Sequence, residues 1–184
     1  GCHGEDGNSM VPMYPKLAQQ HPNYLVKQLL NLKSLERNSP VMSPMAAALS
    51  EKDIADIAAY YSEQRIQPNG EPVLPPDDED TQPADGKVTD INTLIDKGGN
   101  LYRNGDLVLE VSACIACHGP FGEGNGPAGF PALRAQHAEY VIKSLTDFKS
   151  GARSNNPDNM MHMIAKKMTD EEIKAVAYYI STLK

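Results

Sequence analysis

The sequence consists of two related halves, and this duplication constrains the fold more than any other feature. The matched residues of the first half are Gly4, Gly7, Pro15, Leu17, Gln20, His21, Tyr24, Lys27, Leu29, Lys33 and Ser34, and their counterparts are Gly119, Gly122, Pro131, Leu133, Gln136, His137, Tyr140, Lys143, Leu145, Lys149 and Ser150. After a loop that is three residues longer in the second half, Met42, Ala46, Ile54, Ala58 and Tyr60 match Met161, Ala165, Ile173, Ala177 and Tyr179. So many matches in one order indicate a duplicated domain.

The segment between the halves, residues 66–86, has the composition of a linker. It holds five of the 14 prolines and six acidic residues with no Lys or Arg, including the acidic cluster 77–80. Proline fixes φ and removes backbone donors, and like charges repel, so we expect this segment to be extended and solvated. An acidic docking site for a basic partner is the alternative interpretation. The predicted domains are therefore residues 1–65 and 87–184.

Composition excludes two classes of protein. No stretch approaches the roughly 20 apolar residues that a membrane helix needs, so no membrane span is expected. The 17 Lys and Arg residues are outnumbered by 24 acidic residues and form no basic block, so nucleic acid is not an expected partner.

The second half contains Cys114-Ile-Ala-Cys117-His118, a complete C-x-x-C-H attachment motif for a c-type haem. This spacing lets two thiols add to the vinyl groups of one porphyrin while the adjacent His118 reaches the iron. A redox-active dithiol would require a βαβ setting, and a structural zinc site would require a second pair of ligands nearby; both remain as alternatives.

The first half contains only the end of such a motif, Gly1-Cys2-His3-Gly4, which aligns with residues 116–119. We therefore expect the chain to begin inside a haem motif, after an N-terminal helix and one further cysteine. A haem held by the single thioether of Cys2 is the alternative.

A haem that transfers electrons needs a sixth iron ligand, and the repeat selects among the eight methionines. Each half ends in a helix opened by a capping box, Ser50 to Asp53 and Thr169 to Glu172. The position eight residues before each box is Met42 or Met161, and no other aligned position has Met in both halves. These two residues are the predicted ligands, and flexible core filling is the alternative.

The sequence contains three further histidines that could act as ligands. His162 follows Met161 and is the main alternative ligand, but its counterpart is Ser43, which favours an exposed or propionate-facing ring. His21 and His137 are matched and precede amphipathic helices, a pattern that fits a capping or surface role as well as cofactor contact, and they are not among the predicted ligands.

Hydrophobic periodicity predicts an all-α fold. Helices are expected over residues 23–35 and 139–148, after each capping box, and from Asp90 to about Asn104. Gly98 would let this last helix cross the C-terminal helix closely, near Tyr178 and Tyr179. No segment shows the alternation of a strand.

Together these motifs resemble the dihaem cytochrome c4 family. The similarity rests on the tandem haem motifs, the P-x-L at Pro15 and Pro131, the Q-H-x-x-Y-x-x-K stretches, and the Met before each capping box. The resemblance implies two cytochrome c-type domains related by a pseudo-twofold axis, with two covalently bound haems that face each other through their propionate edges. It also implies His and Met ligands at each iron, and a hydrogen bond from each ligand histidine to the carbonyl of Pro15 or Pro131.

The resemblance further implies a periplasmic electron carrier that is soluble or loosely attached to the membrane. Such a protein, with no substrate of its own, would accept electrons from an upstream cytochrome or cupredoxin and deliver them to a terminal oxidase of a respiratory chain. A cytochrome subunit of a larger dehydrogenase, of the flavocytochrome c type, is the main alternative. A dihaem peroxidase is a weaker one, because a Met candidate at both irons leaves no open site.

Overall fold

Helices provide the regular structure of this computed structural model, which describes residues 1–74 and 90–184. The eight α-helices in those ranges are α1 (Pro22–Ser34), α2 (Met42–Ala47), α3 (Glu51–Glu63), α4 (Ile91–Asn104), α5 (Ile115–His118), α6 (Ala138–Ser150), α7 (Met160–Ala165) and α8 (Asp170–Thr182). A single 3₁₀ turn, Pro157–Asn159, precedes α7. Within the described residues, β-type pairing is limited to two isolated bridges, Asp106 with Val111 and Asn125 with Phe130. The all-α prediction is confirmed.

Both predicted capping boxes are present and begin matched helices. Ser50 accepts a hydrogen bond from the Asp53 amide while the Asp53 carboxylate accepts from the Ser50 amide. Thr169 and Glu172 repeat this arrangement at the start of α8. Each box satisfies backbone donors that the first turn of a helix leaves free.

In the second domain, α4 crosses α8 at Gly98. A Cβ atom at Gly98 would lie 2.0 Å from the carbonyl oxygen of Ala175, so only glycine permits this approach. The predicted close crossing is confirmed, although the contact point is Ala175 and Val176 rather than the neighbouring tyrosines. The adjacent Gly99 is the residue that faces the Tyr179 ring.

Matched helices build the two cores. In the first domain α1 packs on α2 and α3, and in the second α6 packs on α7 and α8. The first core contains Leu25, Leu32, Ala46, Ile54 and Ala58. The second is larger because α4 contributes Leu94, Leu101 and the fully buried Tyr102.

The beginning of the predicted linker is attached to both domains. Gln67 donates its amide N–H to Asn8 and accepts from the Lys16 ammonium, which belong to the first domain. The Asn69 side chain donates to the carbonyls of Ala135, Gln136 and Ser181 in the second domain. Residues 66–74 contain no helix or strand, and five of these nine residues are exposed, which agrees with a solvated segment. The hydrogen bonds of Gln67 and Asn69 nevertheless attach it to both domains. The acidic cluster 77–80 lies outside the described residues.

Reciprocal hydrogen bonds join the two domains. The Gln20 side chain accepts from the Ala132 amide at 2.9 Å and donates to the Ala132 carbonyl at 3.0 Å. The matched Gln136 makes the same two hydrogen bonds to the backbone of Lys16, at 2.8 and 3.0 Å. The duplicated sequence therefore gives the interface an approximate twofold symmetry.

None of the helices in the described ranges is both long and apolar enough to cross a membrane.

Candidate haem sites

The C-x-x-C-H segment of the second domain forms a single tight turn. Cys114 precedes α5, and the His118 amide donates to the Cys114 carbonyl at 3.0 Å, which brings the two cysteines and the histidine onto one short helical turn. His118 is 8% exposed, and its Nδ1–H donates to the Pro131 carbonyl at 2.9 Å. Burial lowers the pKa of His118, which favours the neutral ring that a metal ligand requires.

The first domain repeats this histidine geometry. The Nδ1–H of His3 donates to the Pro15 carbonyl at 2.8 Å, and burial lowers the pKa of this ring as well. Cys2 is exposed beside it. Both hydrogen bonds that the family resemblance implied are therefore present, and each orients the opposite nitrogen, Nε2, away from the proline.

These residues fit a covalently attached haem. No hydrogen bond to the Nε2 of His3 or His118 is found in residues 1–74 and 90–184, which leaves that nitrogen available to an iron. Burial raises the pKa of the Cys114 thiol to about 11, the opposite of what a redox-active dithiol requires. Nor does any group of three or more His, Cys, Asp or Glu side chains in the described residues form a site of the zinc type.

The two predicted methionine ligands occupy matched positions. Met42 is the first residue of α2, and Met161 is the second residue of α7. Both are partly buried. The backbone amide of Met42 donates to the Ser39 hydroxyl, and the backbone amide of Met161 donates to the side-chain oxygen of Asn156.

The other methionines have different surroundings. Met168 is 3% exposed and belongs to the hydrophobic core, which agrees with a filling role. Met10, Met13, Met45, Met160 and Met163 are exposed.

His162 connects two helices. Its Nδ1–H donates to the Phe148 carbonyl at 2.8 Å, which links α7 to α6, and the ring is partly buried rather than exposed. This contact stabilises the segment that carries Met161.

His21 and His137 belong to the domain interface. Neither side chain caps its helix. The His21 Nε2–H donates to the Glu123 carbonyl at 2.9 Å, and the His137 Nε2–H donates to the Ser9 carbonyl at 3.0 Å. The Q-H pair of each Q-H-x-x-Y-x-x-K stretch thus joins the two domains.

The role of Tyr102 was not predicted from the sequence. Its hydroxyl donates to the Gly119 carbonyl at 2.6 Å, directly after the haem motif, and the residue is fully buried. The apolar periodicity of α4 indicates only that Tyr102 faces the core. The sequence feature that could have indicated this hydrogen bond is the tyrosine hydroxyl itself, which requires a partner when it is buried.

Comparison with known proteins gives strong similarity over the whole chain. Cytochrome c4 of Thiocapsa roseopersicina is 42% identical over 99% of this chain and 85% of the relative. The crystal structure of reduced recombinant cytochrome c4 from Pseudomonas stutzeri superposes with a TM-score of 0.85 at 38% identity, covering 100% of this chain and 92% of that one. A thiosulfate dehydrogenase electron acceptor of Thiomonas intermedia is 35% identical over 98% of this chain and 76% of the relative.

The fold and the paired His-Pro contacts define a tandem c-type cytochrome. The family model for cytochrome c matches residues 1–63 and again 95–184. The chain belongs to the dihaem cytochrome c4 family. Its cofactors are accordingly two covalently bound haem c groups, and it is a c-type cytochrome of electron transport.

Proposed function

We propose that this protein is a periplasmic electron carrier of a respiratory chain rather than an enzyme. It accepts electrons from an upstream cytochrome or cupredoxin and delivers them to a terminal oxidase. Covalent haem attachment takes place outside the cytoplasm, which supports the periplasmic assignment. Cell fractionation with haem staining tests the location.

The proposal assigns one set of ligands to each haem. His3 and Met42 coordinate the first iron and His118 and Met161 the second, while Cys2, Cys114 and Cys117 form thioethers. The observation that carries the assignment is the equivalence of the two histidines, whose Nδ1–H groups donate to Pro15 and Pro131 at 2.8 and 2.9 Å. Two equivalent centres in one chain suit a protein that transfers electrons.

When bound, each haem supplies a one-electron couple. The residues of the chain supply the conditions for rapid electron transfer. The proline carbonyls restrain the rings of His3 and His118, and a methionine thioether favours the ferrous state more than a second imidazole would.

Absorption spectroscopy of the oxidised protein tests the methionine ligands. Met42→Ala and Met161→Ala should each remove about half of the weak red band of Met-ligated ferric haem, because each substitution affects one of two centres. Met45→Ala and Met163→Ala, exposed methionines of the same two helices, are the matched controls and should leave the band intact. Full retention of the band in Met161→Ala would exclude that residue as a ligand.

A second candidate function is the acceptance of electrons from a dehydrogenase. It is favoured by the relative described as a thiosulfate dehydrogenase electron acceptor. Stopped-flow mixing of the oxidised protein with a purified thiosulfate dehydrogenase and thiosulfate tests this function. Rapid reduction would support it, and reduction no faster than by thiosulfate alone would exclude it. The native mass by size exclusion separates a free carrier from a stable dehydrogenase subunit.

The absence of enzymatic activity is tested with peroxide. A carrier with Met at both irons should show no peroxide turnover when half-reduced. Sustained turnover would identify the third candidate, a dihaem peroxidase.

A further inference from the structure

A small cavity, here called the interface cavity, lies where the two domains and the first linker residue meet. The residues that line it come from both halves of the chain and are Lys16, Ala18, Gln19, Gln20, Ile66, Ala132, Arg134 and Gln136. Its volume is about 10 Å³, which is about the room that one water-sized particle needs. A ligand in this cavity therefore contacts both domains at once, and it must be a single small molecule or ion.

Lys16 brings a buried positive charge to the interface cavity. The residue is 6% exposed, and its ammonium donates to the Gln67 carbonyl at 2.7 Å. An ammonium has three donors, and this contact satisfies one of them. Burial lowers the pKa of Lys16 and the charge of Asp6 raises it by less, while the Asp6 carboxylate itself accepts from Asn8. Lys16 therefore stays charged with a carbonyl, rather than a carboxylate, as its hydrogen-bond partner.

Arg134 brings a second positive charge, from the other domain. Its Nε is buried and has no hydrogen-bond partner in the part of the chain that the structure describes. A buried donor without a partner is costly, and more so when it carries charge. None of the ion pairs in residues 1–74 and 90–184 includes Lys16 or Arg134. Two cations thus line one cavity without a bound counter-charge.

The other polar side chains of the interface cavity are neutral. Within the described ranges, no Asp or Glu lines it. Gln20 and Gln136 each use one side-chain N–H in the reciprocal bonds of the interface, and an amide has two. The charge of Lys16 also acts across the interface, because it lowers the pKa of His137. Buried positive charge beside amide donors favours an anion over a cation or an apolar ligand.

We propose that the interface cavity binds one halide-sized anion, such as chloride, between Lys16 and Arg134, and that this anion holds the two domains together. The anion supplies the counter-charge that both side chains otherwise lack. The small volume of the cavity excludes larger anions such as sulfate and phosphate. Because the site exists only where the folded domains meet, binding stabilises the folded protein by mass action. The inference depends neither on the haem ligands nor on the redox partners.

Thermal unfolding of the haem-loaded protein tests this inference. Stepwise replacement of sodium gluconate by sodium chloride at constant ionic strength should raise Tm along a saturating curve, whereas sulfate should give no saturating rise. Arg134→Gln and Lys16→Met should each weaken the apparent chloride affinity by about tenfold, because each removes one charged hydrogen-bond donor.

Arg103→Gln and Lys52→Met are the matched controls. Both residues are exposed and neither lines the interface cavity. Arg103 donates to the Tyr179 hydroxyl, and Lys52 pairs with Asp56. Their replacement removes the same charges and should leave the chloride response of the parent protein intact.

Crystals of the haem-loaded protein grown in sodium bromide locate the anion directly. The parent protein should show an anomalous difference peak between the Lys16 and Arg134 side chains, and Arg134→Gln should lack it. If Lys16→Met does not fold, the parent protein and Arg134→Gln, whose replaced side chain is partly exposed, still provide both tests.

Three results would overturn the inference. The first is a parent crystal with water alone in the interface cavity. The second is a chloride curve of Arg134→Gln that coincides with that of Arg103→Gln. The third is a bromide peak without any chloride response in solution, which would identify an adventitious ion only.

Discussion

Tyr102 stabilises the segment after the second haem motif through one buried hydrogen bond. Tyr102→Phe removes the hydroxyl and leaves the Gly119 carbonyl without its donor. We expect the free energy of unfolding to fall by about 1–3 kcal/mol, the usual cost of a buried acceptor without a partner. Urea unfolding of the haem-loaded protein measures this change.

Tyr179→Phe is the appropriate comparison for Tyr102→Phe. The Tyr179 hydroxyl accepts from the exposed side chain of Arg103, so water can replace that contact. Its loss should cost less than 1 kcal/mol, in line with exposed interactions of this kind. Equal losses in the two variants would contradict the special role of Tyr102.

At the level of single residues, the sequence predicted short-range chemistry well. Cys114, Cys117 and His118 are neighbours in the chain, so their spacing alone indicates their joint role. Gln20 contacts Ala132, and Arg153 contacts Gln28, across more than 100 residues. A polar residue whose partner lies so far away looks solvated in the sequence, and for that reason the residues that form the interface were not predicted.

Among the elements, the crossing of α4 and α8 depends on Gly98. Gly98→Ala would place a methyl group 2.0 Å from the Ala175 carbonyl, which belongs to the backbone and cannot rotate away. The helices must separate, and we expect a loss of about 3 kcal/mol or more of stability, at the upper end of overpacking effects. Thermal unfolding followed by circular dichroism measures the loss.

Gly99→Ala controls for the change in helix propensity. Its Cβ would meet the Tyr179 side chain at 2.9 Å, and that ring is partly exposed. The ring can move, and alanine is the better helix former, so the change in stability should be small. A large loss in Gly99→Ala with none in Gly98→Ala would contradict the observed crossing.

The elements that were predicted from the sequence carry strong local signals. The capping boxes of α3 and α8 and the apolar periodicity of α1, α4 and α6 all correspond to observed helices. The short helices α2, α5 and α7 have four to six residues and gave no such signal. Helices of that length are not stable alone and form because tertiary contacts, such as that of His162 with Phe148, hold them.

For the whole molecule, the described domain interface is largely polar, built from matched glutamines, histidines, tyrosines and arginines. Polar interfaces of this kind gain specificity from hydrogen-bond geometry more than from buried apolar area. Duplication explains the symmetry, because one set of residues appears twice and faces its own copy. Of the interface histidines, His137 makes the stability of this interface sensitive to protonation.

His137 gives the interface a dependence on pH. Burial lowers the pKa of His137 below its ordinary value of 6.5, and the nearby Lys16 lowers it further, against the opposing effect of the Ser9 carbonyl and Glu139. The unfolded chain therefore binds a proton more readily than the folded one. The neutral His137 ring contributes its full stabilisation to the folded state above pH 6.5. This contribution is lost progressively as the pH falls below that value toward the pKa of His137 in the folded protein.

Urea unfolding of the haem-loaded protein, measured at a series of pH values between about 7.5 and 5, should show this acid loss, and His137→Gln should reduce it. His3 and His118 do not contribute in that range when they are bound to iron, because a ligated nitrogen cannot take up the proton. Ser9→Ala is the matched control, since it removes the Ser9 hydroxyl that lies 2.9 Å from the His137 Nε2 but retains the titrating ring. This variant should still lose stability as the pH falls below 6.5. Identical pH profiles for the parent protein and His137→Gln would show that the acid sensitivity of the molecule arises outside this contact.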